Sequence, residues 1–373
     1  MADAEGEEEQ EQPWVPDHYD VSNALSELAK TEDGSSVVYT RLDLKGFEGR
    51  RLATLQGGQF PITLLENVRH LDICNNKFIT EISEAVGQME RLLSLKASGN
   101  SIGLFEPSGP MGLAFLQTVD LSNNKLTAWV GLESPHLRYL NLSNNQLSSV
   151  SGLGNNPELQ TLLLANNKPL TSCAGLGLST LRELSLTDCG LESLDGLSTL
   201  VMSSLDLTNN ALKDLAGLST SGVLKKLVLN GNPMESLDAV DTLVDVGLTD
   251  VRLPEIPEAP ADLRVQVIKK LWNGLKNEMG KEIMTLNSLN GAPITPEEID
   301  QVCSDWKYAG LHVFSCAYCV RLMSVMRTYM RLCENLFVHV FVHECIRACI
   351  VACIFRHVLS NYCVRENTCI DTC

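Results

Sequence analysis

Of 373 residues, 46 are Asp or Glu and 29 are Lys or Arg, a formal net charge of −17 that counts against nucleic acid or an anionic membrane surface as the main partner. A hydrophobic share of 44% with only 5% aromatics is enough for a core, and predicts one made mainly of Leu, Val and Ala. The opening MADAEGEEEQEQ has neither a basic stretch nor an apolar run, which speaks against a cleaved secretory signal and for a reducing, intracellular setting.

Residues 1–19 combine a Glu/Gln run with Pro13 and Pro16 and are expected to form a disordered acidic arm, because so polar a segment cannot offset its ordering entropy by burial. Residues 20–35 are expected to form an N-terminal capping helix over the open end of a downstream array. Val21, Leu25 and Leu28 stand there at helical spacing, and Ser22 suits an N-cap.

From 36 to 256 the chain is periodic. The pattern L-x-x-L-x-L-x-x-N-x-L recurs with its polar position at Asn76, Asn100, Asn124, Asn145, Asn167, Cys189, Asn210 and Asn232, spaced by 21 to 24 residues. Paired leucines such as Leu140 and Leu142, or Leu205 and Leu207, alternate along a short strand so that both point to one face. The Asn can bond backbone groups as the chain turns out of the strand, satisfying polar atoms that stacking buries. The segments Leu147-x-x-Val150-x-Gly152-Leu153, Leu191-x-x-Leu194-x-Gly196-Leu197 and Leu212-x-x-Leu215-x-Gly217-Leu218 are too short for a long helix and suit one 3₁₀-like turn. The pattern predicts an α/β repeat solenoid and resembles the leucine-rich repeats of intracellular proteins. The expected form is a horseshoe with repeats of about 22 residues, parallel strands on the concave side and short 3₁₀ turns on the convex side. A degenerate first strand is expected at Leu42 and Leu44, with Phe47 in the Asn position. An inserted convex segment is expected around Leu104–Gly112, and a weak last repeat at Leu248, Val251 and Leu253.

Residues 257–300 are expected to close the array as a C-terminal cap, since the last repeat would otherwise expose its core. Asp262 can cap a helix through about Met279, with Val265, Ile268, Leu271 and Leu275 on one face. The run from Leu286 to Glu298, which contains Ile294-Thr295-Pro296-Glu297-Glu298, resembles the C-terminal cap of intracellular leucine-rich-repeat proteins. Residues 301–373 form a Cys-rich tail: nine of the 13 Cys lie beyond Tyr308. Cys316, Cys319, Cys345, Cys349 and Cys353, with His339, His343 and His357, are metal-ligand types, but the paired knuckles and turn residues of zinc modules are missing. The apolar run from Leu336 to Leu359 is broken by His339, His343, Glu344, Arg347, Arg356 and His357, which counts against a membrane span. The tail reads as unstructured, or as translated simple-sequence DNA.

Strand alternation assigns the concave face. The candidate partner-binding residues there are His70, Asp72, Lys96, Asp120, Tyr139, Asn141, Glu183, Asp206 and Lys226. A third column, running Cys74, Ser98, Ser122, Ser143, Ala165, Thr187, Thr208 and Asn230, holds short side chains that let a partner approach closely. Asp72, Asp120 and Asp206 favour a basic partner segment. The chain has no phosphate loop, HExxH or nucleophile elbow, so no enzymatic activity, cofactor, metal or small-molecule substrate is expected.

The stretch Ser22–Gly34, running into Tyr39-x-x-Leu42-x-Leu44-Lys45 and the first repeats, resembles the N-terminal region of the leucine-rich repeat-containing protein 23 family, axonemal radial spoke components of cilia and flagella. The resemblance implies a cytoplasmic, cytoskeletal protein of the axoneme. Its partners would be radial spoke or other axonemal proteins, and its role would be spoke assembly and motility. An alternative is a phosphatase-1 regulatory subunit of the leucine-rich-repeat type, which binds its enzyme on the concave face. A membrane-tethered recognition receptor is a third.

Overall fold

The computed structural model describes residues 12–14, 16–45, 50–52, 65–82, 84–87, 89–105, 113–129, 134–197, 200–218, 224–234, 240–241, 243, 247–256, 262–271 and 286–308. It divides into two units, residues 1–294 and 295–373.

In the first unit, successive turns of chain stack through one 13-stranded sheet. A hairpin of β2 (Leu25–Lys30) and β3 (Val37–Asp43) starts it. Parallel three-residue strands succeed it in chain order: β5 (His70–Asp72), β6 (Ser94–Lys96), β7 (Thr118–Asp120), β8 (Tyr139–Asn141), β9 (Thr161–Leu163), β10 (Glu183–Ser185), β11 (Ser204–Asp206), β12 (Lys226–Val228) and β13 (Asp250–Arg252). The short β14 (Ser288–Leu289) and β15 (Ala292–Pro293) end it, the latter antiparallel. Separately, β1 (Gln12–Trp14) pairs in parallel with β4 (Arg50–Leu52). The central strand residue of every turn, from Leu42 through Leu71, Leu140 and Leu184 to Leu289, is buried in one register-matched column. The apolar residue two positions on, for example Ile73, Leu142 or Leu207, is buried beside it, because period-two alternation sends both to the same face.

The Asn position is a buried hydrogen-bonding ladder. In Asn167 the amide nitrogen donates to Leu164 O of its own turn at 2.7 Å and to Leu142 O of the previous turn at 3.0 Å. Its Oδ1 accepts from Leu147 N, also of the previous turn, at 3.0 Å. Asn124, Asn145, Asn210 and Asn232 repeat this arrangement, with Ile102, Leu126, Leu191 and Leu212 as the donors to Oδ1. A full set of partners is what a buried amide needs, since each unpaired group costs about 1–3 kcal/mol. The residue before each ladder position is left-handed: Asn75, Asn123, Asn144, Asn166, Asp188 and Asn209 have φ of 54 to 59°, and Gly99 and Gly231 have φ of 71 and 72°. Asn and Asp tolerate that region best among residues with a side chain, which accounts for the recurring Asn-Asn pairs.

Cys189 departs from the ladder in a way the sequence compensates. Its thiol donates to Leu164 O at 3.2 Å, keeping the bond to the previous turn, but it offers no amide oxygen. The N–H that would have needed that oxygen belongs to residue 169, two places after Asn167, and residue 169 is Pro. The missing acceptor and the missing donor therefore coincide.

The convex side is narrow, as expected. One-turn bonds Leu153 N→Val150 O, Leu176 N→Cys173 O, Leu197 N→Leu194 O and Leu218 N→Leu215 O recur, and Leu153–Asn155 forms a 3₁₀ turn. Where the repeats lengthen, Phe105 and Trp129 stack at 5.3 Å between ring centres and are buried. Of the insertion expected at Leu104–Gly112, Leu104 bridges to Glu81, and residues 106–112 lie outside the described residues. Phe47 also lies outside them.

The helix expected across 20–35 is corrected. Helix α1 covers only His18–Ala24, and Asp17 caps it in place of Ser22 through reciprocal bonds with Asp20. Ser22 instead bonds back to His18 O inside the helix. The chain then enters β2, because pairing there satisfies the open edge of β3, as a helix cannot. The reversal between the strands is fixed locally. Asp33 accepts from the Thr31 hydroxyl and from Ser35, holding its carboxyl down at about 2, and Gly34 takes φ 70°.

A four-residue helix α2 spans Glu84–Gly87. Helix α3 covers Leu263–Leu271 and buries Val267 and Ile268; the expected continuation to Met279 falls outside the described residues. In the second unit, helix α4 (Pro296–Tyr308) opens on a capping box in which Thr295 N donates to Glu298 and Glu298 N donates to Thr295 Oγ1. Residues 301–308 are thus helical, which corrects the placing of an unstructured tail from 301. The cysteines beyond Tyr308 lie outside the described residues.

This packing can be tested at two places. In a cycle of Pro169→Ala, Cys189→Asn and the double substitution, the double variant should be more stable than the sum of the singles by about 0.5–3 kcal/mol in chemical denaturation, since only it restores both bonding partners. Gly196 has φ 94°, and a Cβ there would meet the Cys173 carbonyl oxygen and carbon. Gly196→Ala should therefore lower stability by more than about 1 kcal/mol, read as a shift in denaturation midpoint at unchanged slope.

Candidate functional site

The register between strands turns the concave face into columns. One column runs Arg41, His70, Ser94, Thr118, Tyr139, Thr161, Glu183, Ser204, Lys226 and Asp250. The next runs Asp43, Asp72, Lys96, Asp120, Asn141, Leu163, Ser185, Asp206, Val228 and Arg252. All nine residues singled out by alternation fall on these two columns, and they are brought onto one continuous sheet face.

They are not chemically equivalent. Asp72 is nearly buried, and its Oδ1 accepts from Cys74 N at 3.1 Å. Asp120 Oδ1 accepts from Ser122 N and from the Ser122 hydroxyl, at 3.0 and 2.7 Å. Asp206 does the same with Thr208 at 3.0 and 2.6 Å, and Asn141 accepts from Ser143 N at 3.1 Å. These are turns closed by a side chain onto the backbone two residues later. Cys74, Ser122, Ser143 and Thr208 of the third column are accordingly turn partners for the second. Asp72, Asp120, Asn141 and Asp206 hold the exit of each strand as well as facing the concavity, so the expected acidic face has less uncommitted carboxylate than the sequence suggests.

His70, Lys96, Tyr139, Glu183 and Lys226 are not held in turns of this kind. Tyr139 is half-buried at the middle of the array, and its hydroxyl pKa is raised chiefly by burial, then by the charges of Asp120 and Glu183, against a lowering contribution from Asn141. At the N-terminal end, a cleft of about 170 Å³ is lined by Arg41, His70, Leu71, Asp72, Ser94 and Lys96. Arg41 is not among the nine residues expected on this face, although it stands one position before Leu42 as His70 does before Leu71. It pairs with Glu27 at 3.2 Å.

The thiols in this unit are poor nucleophiles. Burial pushes Cys173 up to about 12 and Cys189 up to about 11, and raises Cys74. Among the described residues no group of three or more His, Cys, Asp or Glu is placed to hold a metal ion, and no helix is long and apolar enough to cross a membrane.

Comparison with known families agrees with this architecture. The profile described as Leucine Rich repeats (2 copies) matches residues 115–155, and that described as Leucine Rich Repeat matches residues 67–89. The chain is a leucine-rich-repeat protein. Similar proteins include Tsukushi of Gallus gallus, 29% identical over 157 residues, which cover 33% of this chain and 42% of Tsukushi. Leucine-rich repeat-containing protein 23 of Homo sapiens is 30% identical over 133 residues, 36% of this chain and 35% of the relative. Podocan of Mus musculus is 33% identical over 131 residues, 34% of this chain and 20% of the relative. The matched stretch thus spans less than half the length of each relative. Among solved structures, an internalin from Listeria monocytogenes is similar at TM-score 0.45 and 18% identity, covering 69% of this chain and 76% of its own. Human 5T4, the trophoblast glycoprotein, is similar at TM-score 0.44 and 21% identity, covering 60% and 94% respectively.

The Tyr139 hydroxyl should titrate above the ordinary value near 10. Because its folded pKa is raised, its stabilising contribution is fully present below pH ~10 and is lost as pH rises through the folded pKa. Ultraviolet difference titration of the wild type against Tyr139→Phe should show a late phenolate. Glu183→Gln should move that phenolate earlier without returning it to the ordinary value, since burial is the larger cause.

Proposed function

We propose that this chain is a non-enzymatic scaffold of the ciliary or flagellar axoneme, a radial spoke component that holds a protein partner on the concave face around Tyr139. The observation that carries the scaffold part is the unbroken register from β3 to β13, which fixes two columns of side chains on a rigid surface. Rigidity matters because a preformed surface binds without a further ordering cost. The axonemal part is supported by the resemblance of Ser22–Lys45 to the leucine-rich repeat-containing protein 23 family, and by 30% identity to the human member over 133 residues. On this reading His70, Lys96, Tyr139, Glu183 and Lys226 meet the partner, with Tyr139 as the aromatic anchor. Asp72, Asp120, Asn141 and Asp206 shape the surface between them.

The cellular test is extraction of isolated flagella with detergent and salt, followed by peptide mass spectrometry of each fraction. Retention with radial spoke proteins is expected. Recovery in a soluble fraction with a phosphatase, or in a floating membrane fraction, overturns the axonemal assignment. The molecular test is Tyr139→Ala combined with Glu183→Lys, which leaves the strand-exit turns intact. Partner capture from axonemal extract should fall by about tenfold or more at unchanged melting temperature. Unchanged capture would move the interface off this face.

A further inference from the structure

Charge is segregated along the concave face. On the strands from β7 to β11 the three columns hold Asp120, Glu183 and Asp206 and no cation. Cations return toward the ends, with Arg41 and Lys96 before β7 and Lys226 and Arg252 after β11. Lys96 borders the acidic stretch, one strand from Asp120 in the same column, but makes no ion pair among the described residues. Arg138 and Arg182 lie on the strand-entry side, outside the columns, and Arg138 is taken up by Glu158 at 3.2 Å.

The three carboxylates keep both charge and accepting capacity. Both turn bonds of Asp120 fall on Oδ1, as do both of Asp206, so Oδ2 of each has no partner among the described residues. Glu183 accepts the Thr161 hydroxyl at 3.5 Å, on Oε2 alone. Burial is the larger cause of the raised Tyr139 pKa, but the charges of Asp120 and Glu183 both add to it, so their fields converge there. Between these carboxylates, Tyr139 on β8 and Leu163 on β9 are half-buried and are the large uncharged side chains of the stretch. Every strand from β7 to β11 is paired on both sides, which leaves no edge for a partner strand to extend. The occupant must bring a backbone already satisfied, as a helix does.

The spacings fit one helix face. Strands about 4.8 Å apart put Tyr139, Leu163 and Glu183 about 5, 10 and 14 Å along the array from Asp120. On a helix, positions i+4, i+7 and i+11 lie about 6, 10.5 and 16.5 Å from i, within about 40° of one face. The two columns stand about 7 Å apart, narrower than a helix with its side chains.

We propose that this stretch docks a basic amphipathic helix of the partner, with Lys or Arg at i and i+11 against Asp120 and Glu183, and apolar residues at i+4 and i+7 over Tyr139 and Leu163. Asp206, one strand further on, offers the second cation another carboxylate. The pattern is the same in either direction along the helix, so it does not depend on helix polarity. The inference rests on the concave-face reading given above but not on the axonemal one.

The experiment is fluorescence anisotropy of the full chain, under reducing conditions, with labelled helical peptides on an Ala/Gln background. The probe carries Lys at i and i+11 and Leu at i+4 and i+7; a second peptide has Glu in place of Lys, and a third has Gln. The Lys peptide should bind about five- to tenfold more tightly than the Gln peptide and more tightly still than the Glu peptide, with an advantage that shrinks as salt is raised. Asp120→Asn, Glu183→Gln and Asp206→Asn combined should abolish that advantage at unchanged circular dichroism, because an amide oxygen still closes the turns, as Asn141 does with Ser143. Equal binding of the three peptides, lost on Tyr139→Ala, overturns the basic helix and leaves the concave-face reading standing. Binding of none of them, or binding indifferent to the neutralised variant, also overturns it. The concave-face reading is judged separately, by capture from axonemal extract, which uses no peptide.

Discussion

A leucine repeat alone would give a stack of apolar turns with no means of satisfying the backbone atoms trapped between them. The amide of the ladder asparagine resolves this by serving two turns at once. It donates to one carbonyl of its own turn and one of the turn before, and it accepts an N–H from the turn before. Each amide is fully used only if its neighbour is present in register, so the ladder makes the turns cooperative. Packing of the paired leucines supplies most of the burial, but it tolerates sliding, whereas the amide does not. The strand register, the left-handed residue before each ladder position and the concave columns all follow from that constraint.

Cys189 shows how strictly donors and acceptors are matched. A thiol can stand in for the amide nitrogen toward Leu164 O, and no carbonyl oxygen is needed because Pro169 brings no N–H. The two substitutions lie twenty residues apart in sequence and next to one another in the stack.

Much of this was legible in the sequence, because the relevant periods are short and repeat many times. Two-residue alternation determined which side chains reach the concave face, and the Asn spacing determined the stacking. What was not legible lies where the repetition is absent or where one residue has two roles. Val21, Leu25 and Leu28 fit a helical stripe, yet Leu28 projects from a strand; only the need of β3 for a partner distinguishes the two. Asp120 and Asp206 look like free surface charges until their bonds to Ser122 and Thr208 are seen. Arg41 is hard to read because its turn lacks the repeat's usual spacing, although its position before Leu42 is the same as that of His70 before Leu71.

Division of labour between the two concave columns has a geometric consequence. With much of the second column tied into strand exits, the face varies mainly at one position per turn, and it works as a ruler whose marks are about 4.8 Å apart. An α-helix laid along the array advances about 5.4 Å per turn and slips only about 0.6 Å against each mark. An extended strand presents side chains to one side every ~6.7 Å and falls out of step within two or three turns. The pitch of the solenoid is therefore matched by a helix laid along this face and not by an extended strand.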